Sequence, residues 1–298
     1  MNSEQATAEP WTVARVLRWA AEDFGKRGIT SARLDAELLL GRVLGLDRVH
    51  LLLESTRPLS DEELAAYRAL IKRRRAFEPI AYILGEREFY ALPIRVDRRV
   101  LIPRPDSETL VDVALSRTET RSMFGRALDL CTGSGCVAIA FAHQRPTWPV
   151  TASDVSPEAA ALCWENALRA GVAHHFRVLS GDLFAALDAG ERFELITGNP
   201  PYIPTGEIAE LAPDIRDFEP RLALDGGADG LDVIRRIVEQ APERLEPGGV
   251  LALEVAYNQA PAVAELLAAS GFEDIERRRD YGGHERVVSG RREAPPSR

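Results

Sequence analysis

The feature that most constrains the fold is an alternation of strand-like and helix-like segments over residues 106–290. Short apolar runs, such as VTASD at 150–154 and FELITG at 193–198, are separated by longer amphipathic segments, such as SPEAAALCWENALRAG at 156–171. This alternation is typical of parallel strands joined by crossover helices. It predicts an α/β fold with a doubly wound, twisted and mainly parallel sheet.

Residues 11–84 have a different pattern and predict a smaller, helical domain. Apolar residues at 13, 16, 17 and 20 recur at the spacing of one helix face. Ser60 precedes another amphipathic run and is followed three residues later by Glu63, which predicts a capping box at the start of a helix.

The remaining segments complete the predicted domain organisation. Prolines and a glycine punctuate short apolar runs over 85–105 and predict a β-hairpin that connects the two domains. The ends of the chain, 1–10 and 291–298, are predicted to be disordered tails. A chain of 298 residues is long enough for two domains of ordinary size.

Composition excludes several classes of protein. The net charge of −9 is unlike that of proteins that bind naked nucleic acid, which carry a basic excess. No apolar run approaches the ~20 residues that span a bilayer, and the first residues do not resemble a signal peptide. We therefore expect a cytoplasmic protein, monomeric, with neither membrane nor naked nucleic acid as a partner.

The cysteines and histidines predict reduced thiols and no metal site. Cys131, Cys136 and Cys163 form no C-x-x-C pair, and an odd count without a secretory signal fits free thiols. His174 and His175 are adjacent and cannot share one helix face, so we predict no zinc site.

The segment ALDLCTGSGCVAIA at 127–140 predicts a strand, a glycine turn and a helix. Gly133 and Gly135 allow a tight turn and a close approach of the backbone to a ligand. Asp154 follows Gly135 by 19 residues, at the end of the next strand, where a carboxylate can accept hydrogen bonds from a ribose. The turn alone fits a nicotinamide dinucleotide as well as S-adenosylmethionine, and a tight turn that binds no ligand is the third alternative.

Two further carboxylates favour S-adenosylmethionine. Asp129 lies directly before the turn, where it would attract a cationic group and repel a pyrophosphate. Asp182 ends the third strand and could accept a hydrogen bond from an adenine amine. The alternative for Asp182 is a helix N-cap or turn residue.

The segment NPPY at 199–202 follows the fourth strand, so it faces the same crevice as the glycine turn. The Oδ1 atom of Asn199 and the carbonyl of Pro200 are two acceptors in a rigid backbone, and they match the two hydrogens of a planar –NH₂ group. Tyr202 could pack its ring against that group. Holding both hydrogens would orient a poorly nucleophilic nitrogen toward an electrophile.

Taken together, DLCTGSG, SDVSPEAAALCWENA and GNPPYIP resemble a class I S-adenosylmethionine-dependent methyltransferase that modifies planar nitrogens. The connector EPIAYILGEREFYALPIRVDRRVLIPRPDSE and the segment FEPRLALDGGADGLDVIRRI narrow the resemblance to the HemK/PrmC family, the N5-glutamine methyltransferases of peptide chain release factors. The resemblance covers nearly the whole chain.

The resemblance implies both activity and site. The helical domain would help to bind a class 1 release factor, and the sheet domain would methylate the glutamine of its Gly-Gly-Gln loop with S-adenosyl-L-methionine, leaving S-adenosyl-L-homocysteine. The predicted cofactor-binding residues are Asp129, Cys131, Thr132, Gly133, Ser134, Gly135, Asp154, Asp182, Leu183 and Asn199. The predicted substrate-binding residues are Asn199, Pro200, Pro201 and Tyr202, of which Asn199, Pro200 and Tyr202 are the catalytic candidates.

Two positions depart from the family pattern, and two segments have an open role. Cys131 stands where the family usually has glycine, and Leu183 stands where some members have an aromatic residue. Arg104 could approach the crevice or form a surface salt bridge. The segment DGGADGLD predicts a glycine turn in which Asp225 or Asp229 caps the next helix.

Three alternative functions stay open at this point. A related family methylates a glutamine of a ribosomal protein. Adenine-N6 and cytosine-N4 methyltransferases act on amines with the same paired hydrogens, but they must flip a base and bind phosphates. A non-catalytic module of the translation apparatus would not need an intact NPPY segment and glycine turn.

Overall fold

The computed structural model describes residues 10–119 and 123–293, and its contacts divide the chain into two compact units, Met1–Leu84 and Gly85–Arg298. The first unit is helical. Its helices are α1 (Val13–Lys26), α2 (Ala32–Leu44), α3 (Arg48–Leu53), α4 (Asp61–Arg75) and α5 (Ile80–Leu84).

Helices α1 and α4 of the first unit form where the sequence predicts them. The four apolar residues of α1 at the predicted spacing are all buried. At the start of α4, the Ser60 hydroxyl accepts from the Glu63 backbone N–H, and the Glu63 carboxylate accepts from the Ser60 N–H. This capping box satisfies N–H groups that have no partner within the helix.

The second unit begins with an antiparallel hairpin, β1 (Glu86–Phe89) and β2 (Leu92–Arg95). Tyr90 and Ala91 form its turn with φ of 51° and 59°, the left-handed conformation that a tight two-residue hairpin turn requires. The hairpin packs into the second unit, because Asn166 accepts from the Arg95 N–H and donates to the Arg95 carbonyl. The predicted hairpin is present, but it is part of the second unit.

The rest of the second unit is a seven-stranded sheet with helices between the strands. Its strands are β3 (Ala127–Leu130), β4 (Val150–Asp154), β5 (Phe176–Ser180), β6 (Phe193–Gly198), β7 (Leu245–Glu254), β8 (Phe272–Arg279) and β9 (Glu285–Arg292). Its helices are α6 (Glu108–Arg117), α7 (Cys136–Gln144), α8 (Pro157–Arg169), α9 (Pro213–Arg216), α10 (Asp232–Arg244) and α11 (Ala260–Ala269).

The strand order is β5-β4-β3-β6-β7-β9-β8, with β3 to β7 parallel and β9 antiparallel to both neighbours. The chain therefore starts the sheet in the middle and reverses direction between β3 and β6. Both β3 and β6 are buried along their whole length apart from Glu194, as expected for strands with helices over both faces. The carboxyl ends of β3 and β6 lie side by side at this switch point.

Strand β7 is irregular at residues 246–249, where its pairing with β6 shifts register. One boundary differs from the sequence prediction. Strand β9 continues to Arg292, so the start predicted for the terminal tail, at 291, is too early. The rest of that tail from 294, and positions 1–9 of the other, lie outside the described residues.

In the part of the chain that the structure describes, no helix is both long and apolar enough to cross a membrane.

Candidate active site

A cavity of about 320 Å³ opens at the carboxyl ends of β3, β4, β5 and β6. Its walls include residues that the sequence singles out after each of these strands: Cys131 to Gly135, Asp154, Asp182 and Asn199. A volume of this size is within the usual range for a small-molecule site, and the place is the crevice at which parallel α/β sheets bind ligands.

The glycine turn has the conformation that the sequence predicts. Gly133 and Gly135 have φ of 54° and 81°. A Cβ atom on Gly133 would meet no atom within 4 Å, whereas one on Gly135 would lie 2.6 Å from the sulfur of Cys163. Gly133 thus borders open space where a ligand can approach the backbone, and Gly135 lets the turn pack on α8.

Cys131 is the strained residue of this turn. Its φ of 54° is in the left-handed region that glycine adopts readily and other residues rarely adopt. Leu183 has the same kind of backbone, with φ of 50°, and its buried side chain lines the cavity. Burial raises the pKa of the Cys131 thiol, so the thiol is neutral.

Asp129 is a carboxylate at the floor of the cavity and is only 3% exposed. It accepts hydrogen bonds of 2.7 Å from the hydroxyls of Thr132 and Thr197. Burial raises its pKa to about 6, against the opposing effect of these hydroxyls. A positive charge in the cavity would therefore stabilise Asp129 in its ionised form.

Asp154 and Asp182 add two more carboxylates to the same cavity. The carboxylate of Asp154 accepts from the backbone N–H groups of Gly133 (2.8 Å) and Ser156 (2.9 Å), which fixes its position beside the turn. Burial raises its pKa, and these two hydrogen bonds oppose the rise. Asp182 precedes a short 3-10 helix without capping it through its side chain, and instead pairs with Arg236 at 2.6 Å.

The structure separates the members of the NPPY segment. Asn199 and Pro201 line the cavity, whereas Pro200 and Tyr202 are not among its lining residues. The Tyr202 hydroxyl donates to Glu254 Oε1 (3.4 Å), and its backbone carbonyl accepts from Gln259. The face that we predicted Tyr202 to offer to the substrate is thus not on the cavity wall.

The two acceptors predicted at NPPY are free within the described chain. Asn199 Nδ2 donates to the Ser107 hydroxyl (3.3 Å), which directs Oδ1 away from Ser107. Among residues 10–119 and 123–293, neither Asn199 Oδ1 nor the Pro200 carbonyl accepts a hydrogen bond. Asn199 Oδ1 is therefore available to a ligand in the cavity, whereas the Pro200 carbonyl, although unpaired, belongs to a buried residue that does not line the cavity.

Arg104 approaches the crevice, which is one of its two predicted roles, but its salt bridge is to a buried carboxylate and not the predicted surface one. It lines the cavity and also pairs at 2.5 Å with Glu219, whose side chain is almost completely buried. Burial raises the pKa of Glu219, and the Arg104 guanidinium opposes that rise. Glu219 also accepts from the Ile102 N–H, so it ties the segment before α6 to the loop after α9.

The aspartates of the 225–232 segment are not helix caps. The N-cap of α10 is Leu231, and no side chain caps it. Asp229 accepts from the Leu231 N–H and pairs with Arg235, while Asp225 bonds to Thr205 and the Gly227 N–H. The prediction of a cap was wrong because these carboxylates stabilise the loop instead.

Sequence reasoning missed several site residues. Ser107, Asn166, Glu219, Arg236 and Glu254 all touch the cavity or a residue that lines it. They are distant in sequence from the strand ends that they support, so no local motif marks them. Within the described residues, no group of three His, Cys, Asp or Glu side chains could hold a metal ion.

Comparison with known proteins gives consistent matches. Residues 15–85 match the family model of the PrmC N-terminal domain, and residues 107–212 match that of the methyltransferase small domain. The chain is 45% identical to a release factor glutamine methyltransferase of Geobacter sulfurreducens, over 95% of this chain and 98% of that protein. It is 43% identical to one of Vibrio cholerae, over 94% and 96% of the two chains.

A solved structure supports the fold independently. A methyltransferase from Pyrococcus furiosus superposes with a TM-score of 0.51, at 19% identity, over 76% of this chain and 98% of that one. At that identity the likeness shows the fold alone. The predicted architecture, a class I methyltransferase sheet domain with a smaller N-terminal helical domain, is confirmed.

Proposed function

The chain belongs to the family of release factor glutamine methyltransferases, and on that premise we propose that it methylates a glutamine side chain of a peptide chain release factor at the amide nitrogen. The observation that carries this proposal is the position of Asn199. Its free Oδ1 atom lies at the same cavity as three carboxylates, Asp129, Asp154 and Asp182.

The residues around the cavity suit S-adenosyl-L-methionine. Three carboxylates would repel a pyrophosphate but attract the cationic sulfonium and amino groups. We propose that the Cys131 to Gly135 turn and Asp129 hold the amino acid end, that Asp154 accepts from the ribose, and that Asp182 and Leu183 hold the adenine. The cofactor supplies an electrophilic methyl group.

The chain's own contribution is to hold and orient the nitrogen. A carboxamide nitrogen is a weak nucleophile because its lone pair is delocalised into the carbonyl. Asn199 Oδ1 and the Pro200 carbonyl would accept its two hydrogens, and Pro201 would form the adjoining wall. These bonds strengthen as positive charge develops on the nitrogen, which lowers the barrier.

No dedicated base is required for this reaction. A methylated amide nitrogen is strongly acidic and loses its proton to water or to a weak acceptor. Tyr202 takes a supporting part in this proposal, since its carbonyl and hydroxyl tie the segment to Gln259 and Glu254.

The first unit is proposed to recognise the release factor. Helix α3 exposes Val49, Leu52 and Leu53, which are 64%, 72% and 73% exposed. An apolar patch beside charged residues is typical of a surface that contacts another protein. The resemblance places the target glutamine in a Gly-Gly-Gln loop, and the patch would bind elsewhere on the release factor.

A methyl-transfer assay tests the proposed function. Purified class 1 release factor, ribosomal protein and DNA are offered separately, with S-adenosylmethionine that carries a radiolabelled methyl group. We expect label in the release factor, and none after its target glutamine is replaced by alanine. Label only in the ribosomal protein or in the DNA would overturn the assignment.

A further inference from the structure

Glu254 is a buried carboxyl group next to the site, and the mechanism so far gives it no role. It is the last residue of β7, and the pairing of Leu253 with Gly198 places it beside Asn199. Its side chain is about 1% exposed. Within the described chain, its Oε2 atom is buried without a hydrogen-bond partner, which is costly for a carboxylate.

The Ser107 hydroxyl lies between Glu254 and Asn199. Ser107 lines the cavity and is 1% exposed, and its Oγ atom accepts from Asn199 Nδ2 at 3.3 Å. The same hydroxyl is near enough to the Glu254 carboxyl group to favour its ionised form, although no hydrogen bond joins the two side chains. A serine hydroxyl can accept one hydrogen bond and donate another at the same time.

The charged groups around Glu254 act in opposite directions. Arg286 and the Tyr202 hydroxyl favour the carboxylate, and Asp106 disfavours it. Arg286 is itself shared, since it also pairs with Asp280 (3.1 Å) and Asp106 (3.4 Å). Burial outweighs the favourable contacts and raises the pKa of Glu254 to about 7.

We propose that Ser107 and Glu254 are positioning residues for the reaction. In this arrangement the Glu254 Oε2 atom, which has no other partner within the described chain, would accept a hydrogen bond from the Ser107 hydroxyl, while the Ser107 oxygen accepts from Asn199 Nδ2. The planar Asn199 amide is then fixed with Oδ1 toward the substrate. If the Ser107 acceptor is absent, the amide can rotate and present its NH₂ group, which cannot accept a hydrogen bond from the substrate.

This inference deepens the proposed function, on which it rests, and a double-mutant cycle tests it. Turnover of release factor is measured for the wild type, Ser107→Ala, Asn199→Ala and the double variant. We expect Ser107→Ala to lower kcat by about tenfold while its KM for release factor and its Kd for S-adenosylmethionine change less than about twofold. Because Ser107 acts through Asn199, the double variant should be no slower than Asn199→Ala alone.

Three further variants make the result decisive. Ser107→Thr keeps the hydroxyl and should therefore have most of the wild-type turnover. This variant tests the proposal even if Ser107→Ala misfolds and fails to bind cofactor. Ser289→Ala removes another buried serine, outside the cavity lining, and should have wild-type kcat. The kcat of the wild type should fall as the pH drops below about 7, and the kcat of Glu254→Gln should not show this fall.

The outcomes separate this inference from the proposed function. If the wild type does not methylate release factor, the proposed function is wrong. If the wild type is active but the losses of Ser107→Ala and Asn199→Ala multiply in the double variant, Ser107 does not act through Asn199. A Ser107→Thr variant as slow as Ser107→Ala, or an unchanged pH profile in Glu254→Gln, would also contradict the positioning role.

Discussion

At the residue scale, the orientation of one amide decides whether the site can hold a carboxamide nitrogen. Asn199 lines a cavity with three carboxylates, and because Nδ2 donates to Ser107, its Oδ1 atom is left without a partner among the described residues. We predict that Asn199→Ala lowers kcat by about 10²–10³-fold, the usual cost of removing one acceptor or donor that acts in the transition state. Cofactor affinity, measured by calorimetry, should change much less.

The control for this variant is Asn258→Ala, which removes an exposed asparagine that does not line the cavity. Its turnover should equal that of the wild type. Near-normal turnover of Asn199→Ala would show that this amide does not hold the substrate.

Asp154 is a second residue whose replacement can be tested, because it should change cofactor binding. Its carboxylate is fixed by the Gly133 and Ser156 N–H groups and is proposed to accept from the ribose. We predict that Asp154→Ala weakens S-adenosylmethionine binding by about 10–100-fold, since a hydrogen bond to a charged group contributes about 1.5–3 kcal/mol. A calorimetric titration measures this directly, with the exposed Asp188→Ala as the matched control. Unchanged affinity would remove Asp154 from the site.

Buried carboxyl groups also make stability depend on pH. Burial raises the pKa of Glu254 to about 7 and that of Asp129 to about 6, so the folded state binds more protons than the unfolded state above about pH 4. Their contribution to stability is present at low pH and is lost as the pH rises through these values. For Glu254 the loss by pH 8 is about 3 kcal/mol.

Urea unfolding at pH 5 and at pH 8 measures this dependence. The free energy of unfolding of the wild type should fall more between these values than that of Glu254→Gln, which has no proton to lose. Equal falls in the two proteins would contradict a raised pKa at Glu254.

At the scale of secondary-structure elements, Asn166 of α8 joins the hairpin to the glycine turn. Its side chain bonds to the N–H and carbonyl of Arg95 and to the carbonyl of Ser134, all at 2.9–3.0 Å. We predict that Asn166→Ala lowers the free energy of unfolding by about 1–3 kcal/mol, because it leaves one buried and two partly buried backbone groups without their partner. Chemical denaturation measures the change, and a loss below about 0.5 kcal/mol would contradict the role.

At the scale of the whole molecule, the two units have separate cores. The first is built around Phe24, Leu39 and Leu40, and the second around the buried strands β3, β6 and β7. We predict that a chain of residues 85–298 still binds S-adenosylmethionine but has at least a tenfold higher KM for release factor. Kinetics with the full chain and the shortened chain test this, and an unchanged KM would remove the first unit from recognition.

The order of the elements and the strand ends at which ligands bind follow from the sequence alone. The alternation over 106–290, the glycine turn at Gly133 and Gly135, and the capping box at Ser60 are local patterns whose conformations follow from neighbouring residues. The carboxyl ends of parallel strands share one edge of the sheet. The sequence therefore predicts that the side chains at these ends lie at one crevice, and they do: Asp129, Asp154, Asp182 and Asn199.

The side chains that meet behind that crevice could not be predicted in this way, because their contacts depend on tertiary packing. Ser107 lies 92 residues from Asn199, and Arg104 lies 115 residues from Glu219. No periodicity encodes such pairs, because they depend on how strands and loops pack side by side. The same packing turned the Tyr202 hydroxyl toward Glu254 and buried that carboxyl group. Contacts between residues that are close in the chain follow from local geometry, whereas contacts between distant residues follow from packing.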